Sequence, residues 1–229
     1  MNIQLGQYAG FCFGVDRAVN MVEEAAKAGG TVVTLGPIIH NHHVVDRFQR
    51  MGVEVANSPE EVRPGSTVVL RAHGVPRQVE ETLAGLPVQV VDATCPFVKR
   101  IHRLVQEAEA EGRTPVIIGT RTHPEVVGIA SWCRRGMVFE GPEELERWAA
   151  LPETSPGLPI CLVSQTTLTA NLWNLCVKIV KNSLLTSEFL IQYAKQQNIG
   201  KKKRHTCQKS VKLWLLWVMP RVPTRAVLR

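Results

Sequence analysis

The sequence predicts an α/β fold in which small parallel-sheet units repeat along residues 1–181 and turn their strand ends towards a shared central cavity. Three observations carry that expectation. Short apolar runs alternate with segments of helical period, a pattern of parallel strands covered by helices. Polar, chemically capable segments stand where the strands stop, which is where open α/β sheets hold their ligands. The composition, 45% hydrophobic and 21% charged over 229 residues, excludes general disorder.

The elements follow in order. Asp16 can cap a first helix whose apolar positions Val19, Val22, Ala25 and Ala26 share one face, and Gly29-Gly30 stops it. Residues 31–35 read as a strand and 42–50 as a helix. A strand at 67–70, a helix at 76–84 and a strand at 88–91 come next. Pro96 suits the first turn of a helix reaching about residue 111. A strand at 114–118 leads to a helix from Pro124. A helix at 142–150, a strand at 159–163 and a helix capped by Thr169 complete the pattern. The division expected is one α/β domain over 1–95, a second over 96–181, and a basic tail over 182–229.

The tail accounts for the charge. The formal net charge is +7, yet residues 182–229 hold ten Lys/Arg against one acid, Glu188, and the rest of the chain is slightly acidic. The charge excess therefore gives the main body no argument for nucleic acid or a membrane surface. No apolar run approaches the ~20 residues of a membrane span. Met1-Asn2-Ile3-Gln4 lacks the basic region of a secretory signal. A cytoplasmic protein is expected, whose six cysteines serve as metal ligands, nucleophiles or core residues rather than disulfides. The tail itself, with Lys201–Arg204, Trp214 and Trp217, shows no sustained period and is expected to be poorly structured.

The informative segments sit at strand ends. Gly10-Phe11-Cys12 precedes the first helix. His40 and Asn41 follow the second run, Arg71-Ala72-His73-Gly74 the third, and Asp92-Ala93-Thr94-Cys95 the fourth. His123-Pro124-Glu125 and Ser164-Gln165-Thr166 follow the last two. Three histidines on separate loops, with Arg71 and helix N-termini nearby, make an anion site. Cys12 and Cys95 at helix N-termini should be good thiolates, suited to a soft metal or an iron–sulfur cluster. Glu125 and Thr166 are placed to pass protons. His42, His43 and His102 read as hydrogen-bonded surface residues. Cys133, Cys161 and Cys176 read as packed in helices or a strand.

Taken together and in this order, the segments Gly10-Phe-Cys12-Phe-Gly-Val, Gly36-Pro-Ile-Ile-His40-Asn41, Arg71-Ala-His73-Gly74-Val-Pro, Asp92-Ala-Thr-Cys95-Pro, His123-Pro-Glu125-Val and Ser164-Gln-Thr166-Thr-Leu make the chain resemble the LytB family of 4-hydroxy-3-methylbut-2-enyl diphosphate reductases. The resemblance covers residues 1–181. It implies that Cys12 and Cys95 are two of three thiolate ligands of a 4Fe–4S cluster, whose fourth iron stays open for the substrate hydroxyl. It implies that His40, His73 and His123 hold the diphosphate, that Glu125 delivers protons, and that Thr166 orients the substrate hydroxyl or a water. The implied partners are 4-hydroxy-3-methylbut-2-enyl diphosphate and an electron donor such as ferredoxin or flavodoxin, with no membrane and no nucleic acid.

Family members carry a third α/β domain with the third cysteine in an Asp-Thr-Ile-Cys-like segment and a Ser-x-Asn-type diphosphate contact. Here Phe189-Leu-Ile-Gln-Tyr-Ala194 stands at that place, and Cys207 lacks the context. Read one nucleotide earlier, the codons of Leu190 to Gln196 permit Asp-Thr-Ile-Cys-Lys-Ala-Thr. Trp217-Val218 then must give Gly, and Met219-Pro220 must give Ala, within a segment permitting Gly-Asp-Ala-Lys-Ser-Ala-Asn. A frameshift near residue 182 is therefore expected, with the chain as written impaired. Two other functions compete. One is a non-catalytic phosphate-binding module whose basic, aromatic tail contacts nucleic acid, and the other is a zinc or thiol enzyme. The frame reading predicts that the gene, read one nucleotide earlier from residue 182, is open and encodes cysteine across the codons of Tyr193 and Ala194. Stops or another residue in the sequenced locus would refute it.

Overall fold

The computed structural model describes residues 10–152, 154, 158–183 and, in backbone alone, 189–192. Its first half runs α1 (Phe13–Ala28), β1 (Val32–Leu35), α2 (His42–Arg50), β2 (Glu54–Ala56), β3 (Thr67–Leu70), α3 (Arg77–Ala84) and β4 (Gln89–Asp92). The second half runs α4 (Pro96–Ala110), β5 (Thr114–Ile118), α5 (Pro124–Ser131), β6 (Met137–Phe139), α6 (Pro142–Ala149), β7 (Ile160–Ser164), α7 (Ala170–Ser183) and β8 (Phe189–Gln192). The strands form two four-stranded sheets, ordered β2-β1-β3-β4 and β6-β5-β7-β8. Every pairing is parallel, as in Leu35 against Leu70 and Ile118 against Ser164.

Parallel strands are covered on both faces, so their residues are apolar almost throughout and alternate between two layers. Val32 and Val69 pack with Val19 and Val22 of α1 and Phe48 of α2. Val33, Leu35, Val68 and Leu70 face the other way, against Leu83 of α3. In the second sheet Val116, Ile118, Ile160 and Leu162 meet Leu145 of α6 and Trp173 and Cys176 of α7. Ile117, Cys161 and Val163 meet Ile101 and Val105 of α4 and Ile129 of α5. Helix α4 thus starts at the end of the first sheet and packs on the second. The halves are also tied by the Arg77 N–H, which donates to Ser131 Oγ at 2.9 Å.

The structure departs from the sequence reading in four places. Helix α1 begins at Phe13 with Cys12 at the N-cap, so Asp16 lies in the first turn and not at the cap. There its charge still complements the helix dipole. Strands β2 and β6, of three residues each, are too short to show a period. A strand, β8, runs beside β7 where the tail was read as structureless, with Ile160 opposite Phe189; residues 193–229 lie outside the described residues. His42 and His43 are exposed at the start of α2, but His102 is 4% exposed. Its ring stacks on Trp132 at 5.4 Å and lies close beside Gly74 and Gly128.

Burial pushes the His102 imidazole down to about 4 from 6.5, and Nε2 has no hydrogen-bond partner among the described residues. The unfolded chain therefore binds a proton that the folded chain refuses. Stability present above pH 6.5 should fall as pH drops towards 4, by up to about 3 kcal/mol from this residue. Urea denaturation across that range should show a shallower loss for His102→Gln than for the native chain. Equal slopes would contradict the assignment.

Candidate functional site

Three loops bring the histidines together. His40 ends the segment after β1, His73 follows β3, and His123 is the N-cap of α5. The first two loops are latched by the Ala72 N–H, which donates to Ile38 O at 3.2 Å, and the third loop of the first sheet by Cys95 N–H to Ala72 O at 2.9 Å. The ring centres of His40 and His73 are 4.5 Å apart, and His123 stands 5.7 Å from each. One ring nitrogen from each lies within 4.8 Å of the others, close enough to share one ion. Burial pushes His73 down to about 4, with the His40, His123 and Arg71 charges acting in the same direction. His123 is lowered too, first by burial and then by His40 and Arg71.

The turn after His123 decides what kind of ion fits. The Glu125 N–H donates to His123 Nδ1 at 3.2 Å, so that lone pair is occupied and the ring proton sits on Nε2. An N–H facing the cluster suits an anion better than a metal, which needs a free lone pair.

Glu125 is 1% exposed, yet both carboxyl oxygens are held by one residue. Thr166 donates its N–H to Oε1 at 2.6 Å and its hydroxyl to Oε2 at 2.8 Å. Burial raises the Glu125 carboxyl above its ordinary range, and the two Thr166 hydrogen bonds oppose that without reversing it. A carboxylic acid with a raised pKa is suited to give a proton near neutral pH. Gln165 fixes the Thr166 loop: its N–H donates to Ile118 O at 2.9 Å, and its Oε1 accepts from the Thr120 N–H at 3.3 Å. The sequence reading quoted Gln165 within the segment after the last strand and gave it no role of its own.

Cys12 and Cys95 are the N-caps of α1 and α4, and α1 approaches Cys95 at Gly14. A side chain there would place its Cβ 2.5 Å from Cys95 Sγ. The thiols were expected to be acidified by their helices. For Cys95 the balance goes the other way: burial raises its pKa, the N–H groups of Phe97 and Val98 oppose this, and Cys12 and Glu125 add to the rise. Cys95 thus feels the charges of both Cys12 and Glu125. Cys161 and Cys176 are buried in the two layers of the second half, and Cys133 packs against the layer that holds Cys161. None of these three joins Cys12 and Cys95.

Comparison with known proteins gives the family of the chain. The LytB protein family matches residues 3–211, and the chain belongs to that family. It is 43% identical over 150 residues to the 4-hydroxy-3-methylbut-2-enyl diphosphate reductase of Aquifex aeolicus, covering 63% of this chain and 52% of that one. The enzyme of the same name from Clostridioides difficile is 35% identical over 175 residues, covering 76% of this chain and 61% of that one. Among solved structures, (E)-4-hydroxy-3-methyl-but-2-enyl diphosphate reductase, the terminal enzyme of the non-mevalonate pathway, aligns with a TM-score of 0.71 at 35% identity, over 84% of this chain and 67% of that one. The E-1-hydroxy-2-methyl-but-2-enyl-4-diphosphate reductase of Plasmodium falciparum aligns with a TM-score of 0.75 at 26% identity, over 83% of this chain and 58% of that one. The chain spans between half and two thirds of the length of these curated relatives.

The close approach at Gly14 gives a test of the thiol pair. Gly14→Ala should cost about 1–3 kcal/mol, the usual price of overpacking, and should separate α1 from Cys95. Thermal melting, with disulfide trapping of Cys12 to Cys95 under mild oxidation, measures both. A variant that melts and cross-links like the native chain would show that the helices do not meet there.

Proposed function

We propose that this chain is the part of a 4-hydroxy-3-methylbut-2-enyl diphosphate reductase that grips the diphosphate and delivers protons. The observation that carries the reading is the meeting of three imidazoles from separate loops, one of them, His123, on the turn that carries the buried Glu125 whose carboxyl burial raises. His40, His73 and His123 hold the diphosphate, and the Nε2–H of His123 donates to it. Glu125 gives the proton that lets the substrate hydroxyl leave as water. The Thr166 hydroxyl, already bonded to Glu125, orients that hydroxyl. Two electrons and two protons are consumed, the C–O bond breaks, and isopentenyl or dimethylallyl diphosphate and water result.

Cys12 and Cys95 fit two corners of a 4Fe–4S cluster. They stand at the N-caps of α1 and α4, near enough for the charge of Cys12 to act on Cys95, and N–H groups point at the Cys95 sulfur, the surroundings that stabilise a thiolate once metal has displaced its proton. Such a cluster, when bound, would supply the electrons and a Lewis-acid site for the hydroxyl. A third thiol is not found beside them among the described residues. We also infer two α/β domains, one over 1–95 and one from 96 onwards whose sheet takes in β8, with a frame change near residue 182 separating the written tail from the family's third domain. The proposed electron donor is ferredoxin or flavodoxin and the proposed location the cytoplasm. Among the described residues no helix is long and apolar enough to cross a membrane.

Both parts of the reading can be measured together. After identical anaerobic reconstitution, methyl-viologen-coupled reduction should be slow for the written chain and fast for a version with the frame restored at residue 182. Glu125→Gln in the restored version should lower turnover by about 100- to 10,000-fold, the range for a lost general acid. Near-equal turnover of the two versions would contradict the frame reading, and an active Glu125→Gln would contradict the proton assignment.

A further inference from the structure

The histidine site raises a question of charge. Two of its three imidazoles, His73 and His123, are lowered first by burial and then by nearby charges that include His40 and Arg71, so they are better N–H donors than fixed positive charges, and a diphosphate is a multiple anion. We propose that Arg71 binds the diphosphate directly and supplies the permanent positive charge of the site. The assignment rests on the diphosphate reading above and adds a ligand to it.

The geometry is built around this side chain. Arg71 follows the last residue of β3, two positions before His73, and is half-buried. Its Nε–H donates to Gly74 O at 3.1 Å, which folds the side chain back over the turn that carries His73. Its Nη1 then reaches the loop after β1, the one that carries His40. A Cβ at Gly36 would stand 3.0 Å from that nitrogen, and Gly36 has φ +72°. Glycine alone combines that left-handed conformation with the open space the guanidinium fills. The guanidinium thus bridges the loops of His40 and His73, and its charge is felt by His73 and His123.

Arg71 also lacks what several exposed arginines here have. Arg47, Arg63, Arg77 and Arg121 each hold a glutamate. No carboxylate pairs with Arg71 among the described residues, although burial lowers its pKa. A cation withdrawn from water without a counterion is unfavourable. An incoming phosphate oxygen removes that cost. With Nε occupied by Gly74 O, the two terminal nitrogens are left as a fork, the geometry that matches phosphate.

The test is calorimetric titration of the full chain with inorganic pyrophosphate, using the native protein, Arg71→Gln, Arg71→Lys and His73→Gln, with the melting temperature of each recorded. Arg71→Gln should weaken binding by about 10- to 100-fold, the worth of a charged hydrogen bond, while melting as the native chain does. Arg71→Lys, which keeps the charge, should recover part of that loss. If Arg71→Gln binds within twofold of native while His73→Gln does not bind, the Arg71 assignment is wrong and the histidine site stands. If both Arg71 variants weaken equally and melt early, the residue only braces its turn and the proposal fails. If the native chain ignores pyrophosphate, the diphosphate reading falls and takes the proposal with it.

Discussion

Parallel strands cannot be joined by tight turns; each must return through a crossover, and that constraint arranges this molecule. In each sheet the crossovers deliver every strand's carboxyl end to the same edge. His40, His73 and Cys95 therefore emerge on one edge of the first sheet, and His123 and Thr166 on one edge of the second. The apolar strands and their covering helices supply the buried area that stabilises the fold. The loops are freed from that task and can carry imidazoles, thiols and an acid.

Two edges make one site only if the halves are fixed to each other, and α4 does this. It starts at Cys95, whose N–H is held by Ala72 O beside His73, and its inner face packs on β5, β7 and α5. Midway along it, His102 lies against the turn of His73 through Gly74 and against α5 through Gly128. Helix α5 in turn presents His123 at its cap and Glu125 in its first turn. Burial acts on all of these groups in the same sense. It raises the Glu125 carboxyl and lowers the His73 imidazole, shifting both towards their neutral forms, so like charges do not crowd the site.

Most elements were legible because their patterns were long enough. The helix at His42–Arg50 and the strand at Thr114–Ile118 fall where the sequence placed them. The strands Glu54–Ala56 and Met137–Phe139 were not legible, since three residues at a sheet edge show no alternation. That His40, His73 and His123 would come together was legible from position, each one standing beyond a strand. His102 misled because a histidine on a helix carries no mark of the face it occupies, and its burial depends on glycines far away in sequence. The chemistry of Cys95 misled for a related reason: the helix N-terminus is visible in sequence, while the burial that outweighs it is a property of the packed structure.

The central claim is that histidines from both halves of the chain form one anion site. Its most direct measurement is NMR of the chain with labelled histidine side chains during titration with inorganic pyrophosphate. The account predicts that the resonances of His40, His73 and His123 move together and saturate at one pyrophosphate per chain, while those of His42 and His43 stay in place. Movement of His40 and His73 without His123, or shifts produced by zinc and not by pyrophosphate, would contradict it.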